Sequence, residues 1–211
     1  MGDEGNWIRV GAIGAAEAAP DRASVDIGVS VLESSVEKAG KTAATTIANV
    51  LTALAEQDID RSDIHTIAHS VRPEYDHSGR ARRMAGYRVS NVVRVTVRAI
   101  DRVGIIIDRA TSAGGDHATV DRIHFEIVDS DELERVARSE AWEKAVGKAE
   151  QLAALAGRSL GPARTVEETS RPRPDPVVPH RAAAMAAPGD TPIEGGTISV
   201  SVGLTVSFGL E

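Results

Sequence analysis

Two histidines spaced four apart, His65 and His69, are the first residues in this 211-residue chain whose types could do chemistry together. On a helix, His-x-x-x-His sets both imidazoles on one face within reach of a single zinc ion. The stretch Ile64 to Val71 reads instead as a strand, where the two side chains share a face but stand roughly 13 Å apart. One ion cannot span that distance, so these are surface histidines and no metal site is expected. His77, His117, His124 and His180 show no ligand spacing. Gly11-Ala12-Ile13-Gly14 invites comparison with a phosphate loop. A dinucleotide fingerprint, however, needs Gly-x-Gly-x-x-Gly opening into a helix whose amides hold the pyrophosphate. This stretch leads to Pro20 and another strand, and reads as a turn or bulge. No Gly-x-Ser-x-Gly elbow or His-Glu-x-x-His segment occurs. The lack of cysteine excludes thiolate nucleophiles, zinc ribbons, iron–sulfur ligation and disulfides. The residues therefore assign no catalytic group and no cofactor, and a non-enzymatic protein is expected.

The remaining candidate is electrostatic. Arg80, Arg82, Arg83 and Arg88 cluster on a polar turn between two strands. They could grip a phosphate or carboxylate, or meet Asp129, Asp131 and Glu132 of a neighbouring subunit. As a solvated hairpin tip they would do neither. Tyr75 and Tyr87 flank the same hairpin and read as structural aromatics. The chain as a whole is acidic, with 24 Lys+Arg against 31 Asp+Glu, a formal charge of −7. That balance argues against nucleic acid or an anionic membrane as partner. Two Phe, two Trp and two Tyr are too few for a base-stacking platform.

The elements that must position these groups follow from periodicity. Ala23, Val25, Ile27, Val29 and Val31 alternate with Ser24, Asp26, Gly28 and Ser30 as a half-buried strand. Ser34 is placed to cap a helix with Glu37 reaching back. Val36, Ala39, Ala43, Ile47, Val50, Leu51 and Leu54 then recur at helical spacing to about Glu56. Ile64 to Val71 forms a strand closed by Pro73. Beyond the Arg-rich turn, Val89, Val93, Val95 and Val97 alternate with Ser90, Arg94, Thr96 and Arg98, completing a hairpin. Val103 to Ala113 is a short helix stopped by Gly114-Gly115, and Ile123, Phe125 and Ile127 mark the next strand. The order β-α-β-β-α-β is the split pattern of ferredoxin-like units, with both helices on one face of an antiparallel sheet. The fold class is thus α+β.

A third helix spans Asp131 to Ala156, with acids in its first turn and Gly157 as its stop. Its stripe, Leu133, Ala137, Ala141, Ala145, Ala149, Leu152 and Ala156, is mostly alanine, which suits close approach to another backbone layer. Six of the nine prolines lie between Pro172 and Pro192, so about 171–195 reads as a flexible Pro/Ala-rich loop. Ile198 to Leu210 alternates as a final strand that must pair, in this molecule or a neighbour. It is expected to join the same sheet, giving a single domain over 7–210. The opening residues are acidic and polar, without the basic start and apolar run of a signal peptide, so no export leader, no membrane span and a cytoplasmic location are expected.

As an ordered series, several segments carry a resemblance. Pro20-Asp21 precedes the first long strand, and Val71-Arg72-Pro73-Glu74-Tyr75 ends the second. Gly86-Tyr87-Arg88-Val89-Ser90-Asn91 opens the third, and Ile123-His124-Phe125-Glu126-Ile127 follows later. The long helix contributes Ala137-Arg138, Lys148-Ala149 and Ala156-Gly157, and Leu160-Gly161 and Thr191-Pro192-Ile193 lie beyond it. From Ile8 to Leu210 the chain resembles the SIMPL-domain family, the YggE-like proteins linked to oxidative-stress defence and their outer-membrane or periplasmic immunogenic relatives. Two features depart from that pattern: an export signal is expected in relatives, and Ala12 stands where the family tends to have the first glycine of Gly-x-Gly. The resemblance implies an α/β protein, in some relatives assembled into large rings or channels, with a role in stress tolerance and no catalytic residues to carry over. The expected function is self-assembly and contact with an unknown protein partner, as a homo-oligomer. The alternative is an anion or small-molecule binding module that uses the Arg-rich hairpin.

Overall fold

A computed structural model describes residues 6–77, 83–168, 175–177 and 191–211. In chain order the elements are β1 (Trp7–Ala18), β2 (Arg22–Glu33), α1 (Val36–Ala55), β3 (Ile64–Asp76), β4 (Arg83–Val97), α2 (Val103–Gly114), β5 (Ala118–Glu126), α3 (Asp131–Leu155), β6 (Leu160–Glu168), β7 (Asp175–Val177) and β8 (Thr197–Leu210). They sort into two units, one holding residues 20–77, 83–126 and 191–195, the other residues 6–19, 127–168, 175–177 and 196–211.

The first unit is the β-α-β-β-α-β pattern. Its four strands lie in the order β3-β4-β2-β5, every pair antiparallel. The alternation read from the sequence is the alternation of burial: Ala23, Val25, Ile27, Val29 and Val31 of β2 and Val89, Val93, Val95 and Val97 of β4 are buried. They form one core with Ala39, Ala43, Val50 and Leu54 of α1 and Val103, Ile106 and Ala110 of α2. Helix α1 packs on β2 and β4, and α2 packs on β5 and β2. The cap of α1 is Ser35, one residue later than expected, its side chain accepting from Lys38 N at 3.3 Å. Gly115, at φ 55°, ends α2.

Pro73, opposite Tyr87, does not close β3; the strand runs through it to Asp76. β3 pairs only with β4 in its sheet, and an edge position tolerates a residue without an N–H. Asp63, buried just before β3, accepts two hydrogen bonds from Arg98, one of them 2.7 Å from Nη2. Residues 191–195, expected to be part of a flexible loop, are held on α2 instead. Thr191 donates from N and Oγ1 to Asp108 at 2.9 and 2.6 Å, directly over Gly104, and Ile193 packs on the core. Apart from 175–177, the rest of the expected loop lies outside the described residues.

The second unit is where the last strand goes. β8 does pair, but with β1 and β6 on its two sides, and with the short β7, in a sheet of its own rather than in the ferredoxin-like sheet. The stretch read as a turn or bulge, residues 11–14, is the middle of β1. Twelve unbroken residue pairs, Trp7–Gly209 to Ala18–Ile198, hold β1 against β8. A turn was the wrong reading because glycine and alanine in this strand serve packing rather than bending. Helix α3 lies on β1 and β8 with Ala137, Ala141, Ala145 and Ala149 fully buried. Gly14 sits beneath it so closely that a Cβ there would overlap Ala137 O and Ala141 N and lie 3.0 Å from Glu140 Cβ. Among the described residues no helix is long and apolar enough to cross a membrane.

Gly14→Ala is therefore expected to destabilise the protein by about 1–3 kcal/mol through overpacking. Gly11→Ala, where a Cβ meets only Leu204 O at 4.0 Å, should stay within about 0.5 kcal/mol of wild type. Urea denaturation of the two variants checks the difference.

Candidate functional site

The face of the four-stranded sheet away from its helices carries the polar half of each strand's alternation. At its centre one row crosses all four strands: Arg122 on β5, Asp26 on β2, Arg94 on β4 and His65 on β3. Asp26 is 6 % exposed, and Arg94 grips it in a fork, Nε to Oδ1 at 2.7 Å and Nη2 to Oδ2 at 2.9 Å. That hydrogen-bonded guanidinium holds the Asp26 carboxyl below the usual carboxylate range, against the opposing effect of burial and with a smaller contribution from Arg122. Ser24, His124 and Glu126 complete a shallow polar cavity of about 240 Å³ around the pair. Arg122 is exposed and, among the described residues, makes no hydrogen bond or ion pair; it acts on Asp26 through its charge alone.

The structure divides the arginine cluster. Arg88 lies on this polar face, donating from Nε to Glu74 Oε2 at 3.1 Å and from Nη1 to Ser30 Oγ at 3.2 Å. Arg83 begins β4 opposite Asp76 and is exposed. Arg80 and Arg82 lie outside the described residues. The two histidines do not share a face, although a regular strand predicts that they would. A bulge between Thr66 and Ala68 shifts the register, so His65 faces Arg94 on the polar side whereas His69 faces Asn91 on the helix side. Among the described residues no group of three or more His, Asp or Glu could hold a metal ion. In the other unit, a cleft of about 580 Å³ between α3 and β6 has Trp142, Val166 and Leu204 in its walls. Its arginines are already engaged: Arg138 with Glu168 at 2.7 Å and Arg135 with Glu132 at 2.8 Å.

The sheet edges differ as much as the faces. Glu140, Lys144 and Lys148 follow one another every four residues along α3 and reach the outer edge of β1. Ala15 N donates to Glu140 Oε2 at 2.5 Å, Lys144 Nζ donates to Ile13 O at 3.3 Å, and Lys148 Nζ donates to Gly11 O at 2.8 Å. The Ala15 amide, with Lys144 beside it, lowers the Glu140 carboxyl's pKa. No such cap covers β3 among the described residues.

Compared with known proteins, residues 8–208 match the family model SIMPL, described as a protein of unknown function (DUF541). The chain belongs to the SIMPL family. It is 28 % identical over 176 residues to "Uncharacterized protein YggE" of Escherichia coli K12, covering 83 % of this chain and 71 % of that one. It is 28 % identical over 217 residues to the "26 kDa periplasmic immunogenic protein" of Brucella melitensis, covering 97 % and 84 %. A further YggE, from Edwardsiella ictaluri, is 26 % identical over 186 residues, 87 % of this chain and 77 % of the relative.

In this SIMPL protein the segments that carried the resemblance fall between β1 and β2, on β3, β4 and the start of β6, on and just after β5 and α3, and on the 191–193 anchor. The Asp26–Arg94–Arg122 row was not singled out from the sequence. Its signal was present: Asp26 is the sole charge between Ala23 and Val31, and Arg94 is a charged residue on the polar side of the β4 alternation. The Asp26 pKa is lower folded than the unfolded value near 3.9. Its carboxylate thus adds stability above about pH 4 that is lost as pH falls through the folded value. Asp26→Asn is expected to have a lower urea midpoint than wild type at pH 7, with the gap narrowing at pH 3.

Proposed function

We propose that this protein catalyses no reaction and works by self-assembly and by contact with other proteins, joined through the free edge of β3. The contrast between its strand edges carries this reading. β1 has three backbone groups occupied by the Glu140–Lys144–Lys148 ladder, a device that blocks strand addition. β3 is thirteen residues long, has no Lys, Arg, Asp or Glu from residue 64 to 71, and leaves Ile67 and Val71 44 % and 46 % exposed. An uncovered edge of that kind is a template for a further strand, from a second copy or from a partner. Stress tolerance, which the family resemblance implies, is the cellular role proposed for the assembly, and the cytoplasm its place, although the Brucella relative is named for the periplasm.

A second reading, an anion-binding module, draws support from Arg122, exposed beside the Asp26–Arg94 pair with no hydrogen-bonding partner among the described residues. A guanidinium so placed has its donors available for a phosphate or carboxylate.

Light scattering on protein from the cytosolic fraction of the native host tests the first reading. A mass above the single-subunit 22.2 kDa is expected, falling in Ile67→Lys but not in Ile13→Lys on the capped edge. A single-subunit mass at all concentrations would remove self-assembly, and release of the protein by osmotic shock would remove the cytoplasmic location. For the second reading, thermal-shift titration with phosphate and with dicarboxylates is expected to give saturable stabilisation that Arg122→Ala abolishes. An unchanged melting curve would count against it.

A further inference from the structure

Helix α1 centres on β2 and β4, and so leaves a trough along its flank whose far wall is β3 with the outer part of β4. The trough consists of two clefts. One, of about 260 Å³, lies towards the C-terminal end of α1 between Leu51 and Val93. The other, of about 330 Å³, lies towards its N-terminal end between Gly40 and Val71. Ile47 and Asn91 line both. Small residues on α1, Gly40, Ala44 and Ala55, keep the trough open. A Cβ on Gly40 would meet nothing within 4 Å.

Asn91 is the exception in this wall. Val89, Val93, Val95 and Val97 share its face of β4 and are buried in the core. The amide thus replaces a valine in the alternation, between Val29 on β2 and His69 on β3. Its Oδ1 is buried and, among the described residues, has no hydrogen-bond partner. Buried acceptors are almost always satisfied, and an orphan on the residue shared by two clefts asks for a donor; a turn of the amide can bring that oxygen to face the cleft. The surroundings narrow what can bring one. The first cleft is walled by aliphatic carbon, with Thr66 as its other uncharged polar residue and Arg61 as its one ionic group. Such walls suit a neutral hydrocarbon body, and an apolar cavity of about 150 Å³ is already enough to take benzene. A hydroxyl suits the amide, because it can donate to the oxygen or accept from the nitrogen whichever way the amide is turned.

We propose that this trough is a binding site for a small, neutral, mainly apolar alcohol, an aryl or alkyl alcohol whose hydroxyl hydrogen-bonds Asn91 and whose hydrocarbon lies against Ile47 and Leu51. This site lies on the helix side of β3 and β4 and uses neither the outer backbone edge of β3 nor the polar face, although Val71 belongs to its wall, and it stands whether or not the chain self-assembles.

The test titrates the full chain with 2-naphthol, followed by its own fluorescence, and with naphthalene as the same hydrocarbon without the hydroxyl. Saturable one-to-one binding of 2-naphthol is expected, with naphthalene about tenfold weaker, the effect of one hydrogen bond to an otherwise unpaired buried acceptor. Asn91→Leu should bring the two affinities within twofold and raise Tm by a few degrees, since it replaces an unsatisfied amide with hydrocarbon. Ala55→Phe, at an exposed position on the last turn of α1, should fill the first cleft and weaken 2-naphthol at least tenfold while the circular dichroism spectrum stays that of wild type. No saturable binding by wild type would overturn the proposal. So would a tenfold preference that survives Asn91→Leu, or full 2-naphthol affinity in Ala55→Phe.

Discussion

The position of α1 over the four-stranded sheet governs most of what this protein exposes. Its buried stripe, Ala39, Ala43, Val50 and Leu54, is matched to the valines of β2 and β4. A helix about 10 Å across covers two strands spaced 4.8 Å apart, not three. With α2 occupying β5 and β2, β3 is left without a helix over it. Three consequences follow from this one placement. Val71 on β3 remains half-exposed although its neighbour Val89 is buried. A trough opens beside Ile47 and Asn91. Among the described residues, no strand pairs with the outer edge of the uncharged segment from 64 to 71.

The other unit solves the same problem in the opposite way. Its helix has alanine where α1 has leucine and valine, so it approaches the sheet until Gly14 is the only residue its strand position admits. Close approach removes little apolar area per residue. It does bring the flank of α3 within side-chain reach of the β1 backbone, where Glu140, Lys144 and Lys148 occupy groups that would otherwise recruit a strand. Helix-to-sheet distance, set by side-chain size, thus decides which edge of this protein is closed.

The charged groups follow the same logic of neutralisation. Asp26 is partnered by Arg94, Glu74 by Arg88 and Asp63 by Arg98, so the polar sheet face is mostly a set of closed pairs. Among the described residues Arg122, and Arg72 opposite Arg88, stand beside these pairs without a hydrogen bond or ion pair.

The linear order of residues was enough to determine the elements of the first unit and their topology, because alternation in β2 and β4 and the 3.6-residue stripe of α1 are local signals that burial later obeys. The alanine stripe of α3 likewise announced a close backbone neighbour. Partner choice was not local. β8 reads as a strand on its own, but whether it joins β2's sheet or pairs with β1 depends on contacts almost two hundred residues apart, and β1 itself looked like a turn because its small residues answer to a helix far along the chain. Asn91 shows the same limit at the level of one side chain. A polar residue in a valine alternation is visible in sequence, whereas an oxygen buried without a donor exists only once α1, β3 and β4 have closed around it. Tertiary packing decides such matters because desolvation depends on everything that surrounds an atom, and sequence neighbours are only a small part of those surroundings.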